Sequence, residues 1–187
     1  MDALDIDRLI AKVASGDTAS LEILYNRFAK SVYALAYSIV SNHAAAEDIM
    51  QDTFVKVWSA AASFKSKGFG KAWIMRIARN LSLNYVTRCR TQSMDEMNEE
   101  SGERFASEQS LEDRTVASVA VEYAMSRLSE NEKQIVTLHG LCDMTLSEIA
   151  EMLGEPLGTI KWRHSEAMKK MRKELQEYQE KQVIIHE

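Results

Sequence analysis

Residues 91–114, TQSMDEMNEESGERFASEQSLEDR, divide the chain, because they carry eight acidic and two basic side chains and almost no aliphatic periodicity. A segment this polar buries too little apolar surface to offset the entropy of ordering it, so it reads as an acidic, flexible linker. The alternative is an irregular helical extension of the first domain, anchored by Met94, Met97 and Phe105. Residues 1–90 and 115–187 must then each supply a core of their own. One proline and seven glycines in 187 residues, set against ten methionines and abundant Ala, Leu, Glu and Lys, favour helices over a sheet built on tight turns. The expected fold is all-α, with two small helical domains on either side of the linker.

In the first domain, Leu21, Leu24, Phe28, Val32, Leu35 and Ile39 recur at helical spacing from about Thr18 to Val40, with Asp17 placed to cap them. Asn42 or Ser41 starts a second helix reaching about Ala61. After a loop containing Gly68 and Gly70, a third runs from about Lys71 to Arg88. In the second domain, Ser129-Glu130-Asn131-Glu132 and Thr145-Leu146-Ser147-Glu148 are capping boxes. Gly154-Glu155-Pro156 then stops one helix and starts another. A short helix, a tight turn and a long helix make a helix-turn-helix.

The formal net charge is −5, which argues against a free-standing binder of duplex DNA. The distribution argues differently. Residues 1–90 carry 12 basic and 8 acidic side chains, and Thr53 to Met94 contains eight bases and no acid. Polyanion contact explains that stretch better than a merely solvated face does.

Three surfaces follow from the helical wheels. On the second helix, Asp48, Gln51, Asp52, Val55 and Trp58 fall opposite Ile49, Met50, Thr53 and Val57, and a face mixing carboxylates with Val and Trp suits docking to a partner. On the third, Arg76, Asn80, Asn84 and Arg88 recur every four residues, a lining suited to phosphates and base edges. The loop before it interleaves Phe64 and Phe69 with Lys65, Lys67 and Lys71, a composition that can cage an unpaired base or simply tuck two aromatics into the core. On the last helix, Leu157, Ile160, His164, Met168, Met171 and Leu175 form the expected buried stripe. Thr159, Trp162, Glu166, Lys169 and Lys173 lie opposite, with Arg163 on the flank. The opposite face fits a major groove, with Trp162 available to a thymine methyl.

The segments AEDIMQDTFVKVW, WIMRIARNLSLNYVTR and LSEIAEMLGEPLGTIKWR, in that order and at these separations, resemble successive signatures of the extracytoplasmic-function sigma factors of bacterial RNA polymerase. The resemblance spans nearly the whole chain. It implies an alternative sigma factor that binds core polymerase through the largest-subunit clamp helices and the flap, and directs promoter-specific initiation. Residues 1–90 would be region 2, 91–114 the linker through the polymerase cleft, and 115–187 region 4. The resemblance puts Asp48, Gln51, Asp52 and Phe54 in polymerase binding, beside Val55 and Trp58 from the wheel. It puts the loop from Ser63 to Lys71 on a flipped minus-ten base, and Arg76, Asn80, Asn84 and Arg88 along the melted strand. Thr159, Lys161, Trp162, Arg163 and Glu166 would read the minus-thirty-five element, with Lys169 nearby. The family usually has an acid at Asn84, so a carboxylate interaction there is not expected, and it usually has Ser at Trp162, Leu at His164 and Arg at Glu166, departures that imply one phosphate contact fewer and an atypical promoter.

Cys89 and Cys142 belong to no paired or metal-ligating spacing, and no P-loop, dinucleotide motif or catalytic triad is present. The expectation is a cytoplasmic protein without membrane insertion, catalytic residues, metal or cofactor. Surfaces of this kind call for control, so an anti-sigma factor is expected among the partners. The competing reading, a helix-turn-helix regulator acting without polymerase, leaves the first domain's motifs unexplained.

Overall fold

The computed structural model describes residues 3–65, 68–95 and 116–185. Among them every regular element is helical: α1 (Ala3–Ala14), α2 (Thr18–Val40), α3 (His43–Ala60), a 3-10 turn (Ala61–Ser63), α4 (Gly70–Asp95), α5 (Val116–Ser126), α6 (Glu130–Gly140), α7 (Leu146–Leu153) and α8 (Leu157–Ile185). The fold is all-α, as the sequence implies.

The helix ends lie where local chemistry puts them. The Asp17 carboxylate accepts from the backbone N–H of Ala19 and Ser20 and from the Ser20 hydroxyl, whose bond is the main cause of a carboxyl held below its usual range. Ser41, left-handed at φ 51°, closes α2 through its N–H to the Tyr37 carbonyl, and Asn42 then caps α3. Both capping boxes form, at Ser129 with Glu132 and at Thr145 with Glu148. Gly154 terminates α7 at φ 70°, and Pro156 immediately precedes α8.

Helix α4 starts against α1. The Asp7 carboxylate accepts from the backbone N–H of Gly68 and from that of Gly70, the latter at 2.9 Å, and so caps α4 from 63 residues away. Gly70 is required by this approach, since a Cβ there would stand 2.7 Å from Asp7 Oδ1 and 2.8 Å from Ile6 Cγ2. Gly68 serves a different need, a φ of 82° with open space around it.

Leu24, Phe28, Val32 and Leu35 of α2, Val57 of α3 and Ile74, Met75 and Ala78 of α4 fill the first core. The same apolar cluster continues into Ile135, Leu138, Cys142, Met144, Ile149 and Met152 of the second half. The two halves therefore pack on each other, α2 against α6 and α4 against α7, and are not merely tethered. Sequence periodicity identifies an apolar face without identifying its partner. A separate cluster of Ala124, Leu128, Ala167 and Met171 joins α5 to α8.

Three expectations shift. Helix α4 runs to Asp95, seven residues beyond Arg88, so the acidic segment begins within a helix. Of the assigned linker, residues 96–114 lie outside the described residues. Leu157 and Met168, placed on the buried stripe of α8, are exposed, because α8 seats Ile160, Ala167 and Met171 against its neighbours.

Glu132 ties the second half together. One oxygen accepts from the backbone N–H and the hydroxyl of Ser129, and the other from Lys170 Nζ on α8 at 2.6 Å. The lysine bond, with smaller help from Ser129, holds this largely buried carboxyl below its usual range near 4.5. A depressed carboxyl stabilises above its unfolded pKa, and that stabilisation is lost as pH falls through the folded value.

Two outcomes are expected in urea unfolding. Gly70→Ala should lower stability by about 1–3 kcal/mol through the clash with Asp7 and Ile6, with Gly68→Ala costing about 1–2 kcal/mol from its left-handed backbone. Glu132→Gln should weaken the protein at neutral pH and remove part of the acid-dependent loss below pH about 4.5.

Candidate nucleic-acid interface

Asp48, Gln51, Asp52, Val55 and Trp58 form an exposed strip on α3, with Val55 67% exposed. Phe54 is the exception. It is 5% exposed and packs edge-on against Tyr25, ring centroids 4.9 Å apart. Its assignment to a contact surface is corrected: it holds α3 on α2 and presents no face to a partner. That assignment rests on the family resemblance alone, which says nothing of how Phe54 packs on Tyr25 of α2.

The basic loop is anchored by its aromatics. Phe64 is half-buried and tilted against Trp73 at 5.2 Å, and Phe69 packs on the first core. Neither ring is a free stacking platform. Lys65 is exposed, and Lys67 lies outside the described residues. Asp7, which no motif singled out, fixes the far end of the loop through Gly68 and Gly70.

Along α4, Asn80, Asn84 and Arg88 are exposed in one row. Asn84 and Arg88 share a groove of about 490 Å³ with Asp52 of α3, floored by Ile49 and Leu81. The structure thus brings one residue of the α3 strip beside two of the α4 row. Arg76 and Lys71 behave differently. Arg76 Nε donates to the Met152 carbonyl at 3.0 Å, its Nη2 donates to the Glu151 carbonyl, and the Glu151 carboxylate stands 3.7 Å away. Lys71 Nζ donates to the Asp143 carbonyl.

On α8, Trp162 is 64% exposed, with Lys161 and Lys169 exposed and Thr159 half-buried. Arg163 Nη1 is paired with the Glu155 carboxylate at 2.6 Å, and Glu166 holds Lys169 at 2.7 Å. Of the expected recognition residues, Lys161 and Trp162 are exposed, while Arg163, Glu166 and Lys169 are held in ion pairs.

His164 packs edge-on against His139, centroids 4.7 Å apart, and His139 Nδ1 donates to the Met144 carbonyl at 2.7 Å. Desolvation, then the neighbouring His139, pushes the His164 imidazole below its usual value near 6.5. Among the described residues no group of three or more His, Cys, Asp or Glu is placed to hold a metal ion, and no helix is long and apolar enough to cross a membrane.

Against this geometry, the family profile for sigma-70 region 2 matches residues 24–91, and that for sigma-70 region 4 matches residues 124–173. The chain belongs to the extracytoplasmic-function sigma factors. It is an alternative sigma factor that directs transcription initiation, a non-catalytic role in this family. The sigma factor is 29% identical over 86% of its length to the ECF RNA polymerase sigma factor BldN of Streptomyces coelicolor, covering 62% of that protein. It is 24% identical over 92% of its length to ECF RNA polymerase sigma factor SigW of Bacillus subtilis, covering 97% of it. The sigma factor RpoE of Bartonella quintana, solved in complex with the anti-sigma factor NepR, superposes with a TM-score of 0.62 at 27% identity, over 79% of this chain and 91% of that one. The fold is also that of CnrH, solved in complex with the cytosolic domain of CnrY, with a TM-score of 0.66 at 24% identity over 94% of this chain and 98% of that one.

A histidine held neutral destabilises as pH falls, because the unfolded chain gains its proton first. Thermal melts should show stability falling below pH about 6.5, and His164→Leu should remove that component.

Proposed function

We propose that the exposed row Asn80, Asn84 and Arg88 follows the melted strand of the minus-ten element while the adjoining strip on α3 docks on core polymerase. The observation that carries this reading is the groove shared by Asp52, Asn84 and Arg88. One rigid helical pair would then fix the distance between the polymerase surface and the strand. Asp48 and Asp52 supply the charge at the docking strip, Gln51 a neutral hydrogen-bonding group, and Val55 and Trp58 its apolar area. Lys65, Lys71, Arg76 and Arg88 supply phosphate contacts, and the two asparagines supply paired donors and acceptors for base edges.

No covalent step is required. Unstacked bases are bound and paired ones are not, so differential affinity shifts the promoter toward its melted form. Phe64 and Phe69, half-buried against Trp73 and the first core, would shape the loop, with base capture left to its backbone and lysines.

The helix-turn-helix reads the minus-thirty-five duplex, with Trp162 and Lys161 at its exposed centre. Arg163 and Glu166 act from within their pairs with Glu155 and Lys169. The factor works in the cytoplasm, where polymerase and promoter are. An anti-sigma factor that covers the α3 strip is the natural control, in keeping with the complexes formed by the Bartonella and CnrH factors.

Asn80→Ala and Asn84→Ala should each lower open-complex formation on duplex promoters by roughly tenfold, for about 1–3 kcal/mol per base contact. Premelted promoters should be affected far less, and equal losses on both templates would sink the melting role. Trp162→Ala should relax selectivity at one or two minus-thirty-five positions in a promoter-library assay while core binding stays unchanged.

A further inference from the structure

Helix α4 carries a second row that neither the docking strip nor the strand-lining row uses. Arg79, Leu83, Val86 and Arg90 follow one another at helical spacing. They lie about 100° round the helix from Asn80, Asn84 and Arg88. With Ser38 and Ile39 at the end of α2, this row lines one side of a cavity of about 340 Å³. The other side comes from α6, through Glu130, Asn131, Lys133 and Gln134. A volume of this size falls in the range of small-molecule sites, about 300–1,000 Å³.

The lining divides by chemistry. Its cations are Arg79, Arg90 and Lys133, and its one carboxylate, Glu130, is engaged by Lys133 Nζ at 2.9 Å. The two guanidiniums therefore set the charge. Ile39, Leu83 and Val86 form an apolar wall, with Leu83 38% exposed in the middle of a helix. Asn131 and Gln134 add amides that both donate and accept. The atom that points to a ligand is Arg79 Nε, which is withdrawn from solvent and has no hydrogen-bond partner among the described residues. A guanidinium N–H removed from water without an acceptor is costly, and buried polar groups are otherwise almost always satisfied.

We infer that this cavity binds a small phosphate-bearing molecule with an apolar body, of the nucleoside diphosphate class. Phosphate oxygens accept from Arg79 and Arg90, whose planar forks match them two bonds at a time. The first turn of α6, which begins at Glu130, adds the positive end of a helix. The base lies on Ile39, Leu83 and Val86, and the two amides meet its edge. A bare phosphate would leave the apolar wall unused, and a neutral apolar molecule would leave Arg79 Nε unsatisfied. None of these residues belongs to the proposed strand or polymerase contacts, so the site stands or falls independently of them. Because α2 and α4 line one side and α6 the other, occupancy stabilises the packed chain by mass action.

The test is calorimetric titration of the full chain with guanosine diphosphate and adenosine diphosphate, with inorganic pyrophosphate and guanosine in separate arms and thermal melts alongside. A single saturable site for a nucleoside diphosphate is expected, with a Tm that rises with its concentration. Pyrophosphate should bind more weakly by about tenfold or more, for the lost apolar contact, and guanosine should not bind. Arg79→Met should weaken nucleotide binding by about tenfold or more, the loss of one set of charge-assisted bonds. Arg8→Met on α1, which removes a cation outside the cavity, should leave the affinity unchanged. Lys133→Met covers the case in which Arg79→Met folds poorly, since it frees the Glu130 carboxylate beside the phosphates and should weaken binding too. No saturable binding by either nucleotide, or affinities unchanged in both variants, would overturn the site. Pyrophosphate or guanosine binding as tightly as guanosine diphosphate would overturn the ligand class assigned to it.

Discussion

Helix α4 is the constraint on which the rest of the structure depends. Ile74, Met75 and Ala78 are fully or almost fully buried, and they fix the helix against α2 while its N-terminus is capped by Asp7 from α1. With that face committed, Asn80, Asn84 and Arg88 must project outward in a row, and Arg76 must point where α7 ends. The placement of the row proposed to follow a nucleic-acid strand is thus a consequence of how the core is packed. Gly70 shows how tight the arrangement is, since no side chain fits between α4 and α1 at that point.

What was readable from the sequence was local. Asp17, Asn42, Ser129, Thr145 and Gly154 act on backbone groups within four or five residues, so their roles follow from residue type and spacing alone. The exposed strip on α3 and the row on α4 were readable too, because one helix wheel decides them. What was not readable depends on distant partners. Asp7 meets Gly68 and Gly70 across more than 60 residues, Arg76 meets Met152 across 76, and Phe54 packs into the core against Tyr25. The loop phenylalanines belong with these: composition left base capture and core packing open, and Trp73 and the first core received them.

The same division separates shared from individual features of this sigma factor. The region 2 and region 4 matches account for the framework. Trp162, exposed at the centre of the recognition helix, and His164, packed on His139, are where this chain sets its own terms. The Glu155 pairing of Arg163 restricts one cation to a fixed position.

The central claim is that docking, melting and duplex reading reside in one chain that acts only with polymerase. The most direct measurement is transcription of genomic fragments by core polymerase reconstituted with this factor, with start sites mapped. The account predicts discrete starts, absent with core alone, each preceded at a fixed spacing by a shared two-part sequence. No new starts, with the factor retaining duplex DNA equally well without polymerase, would contradict it.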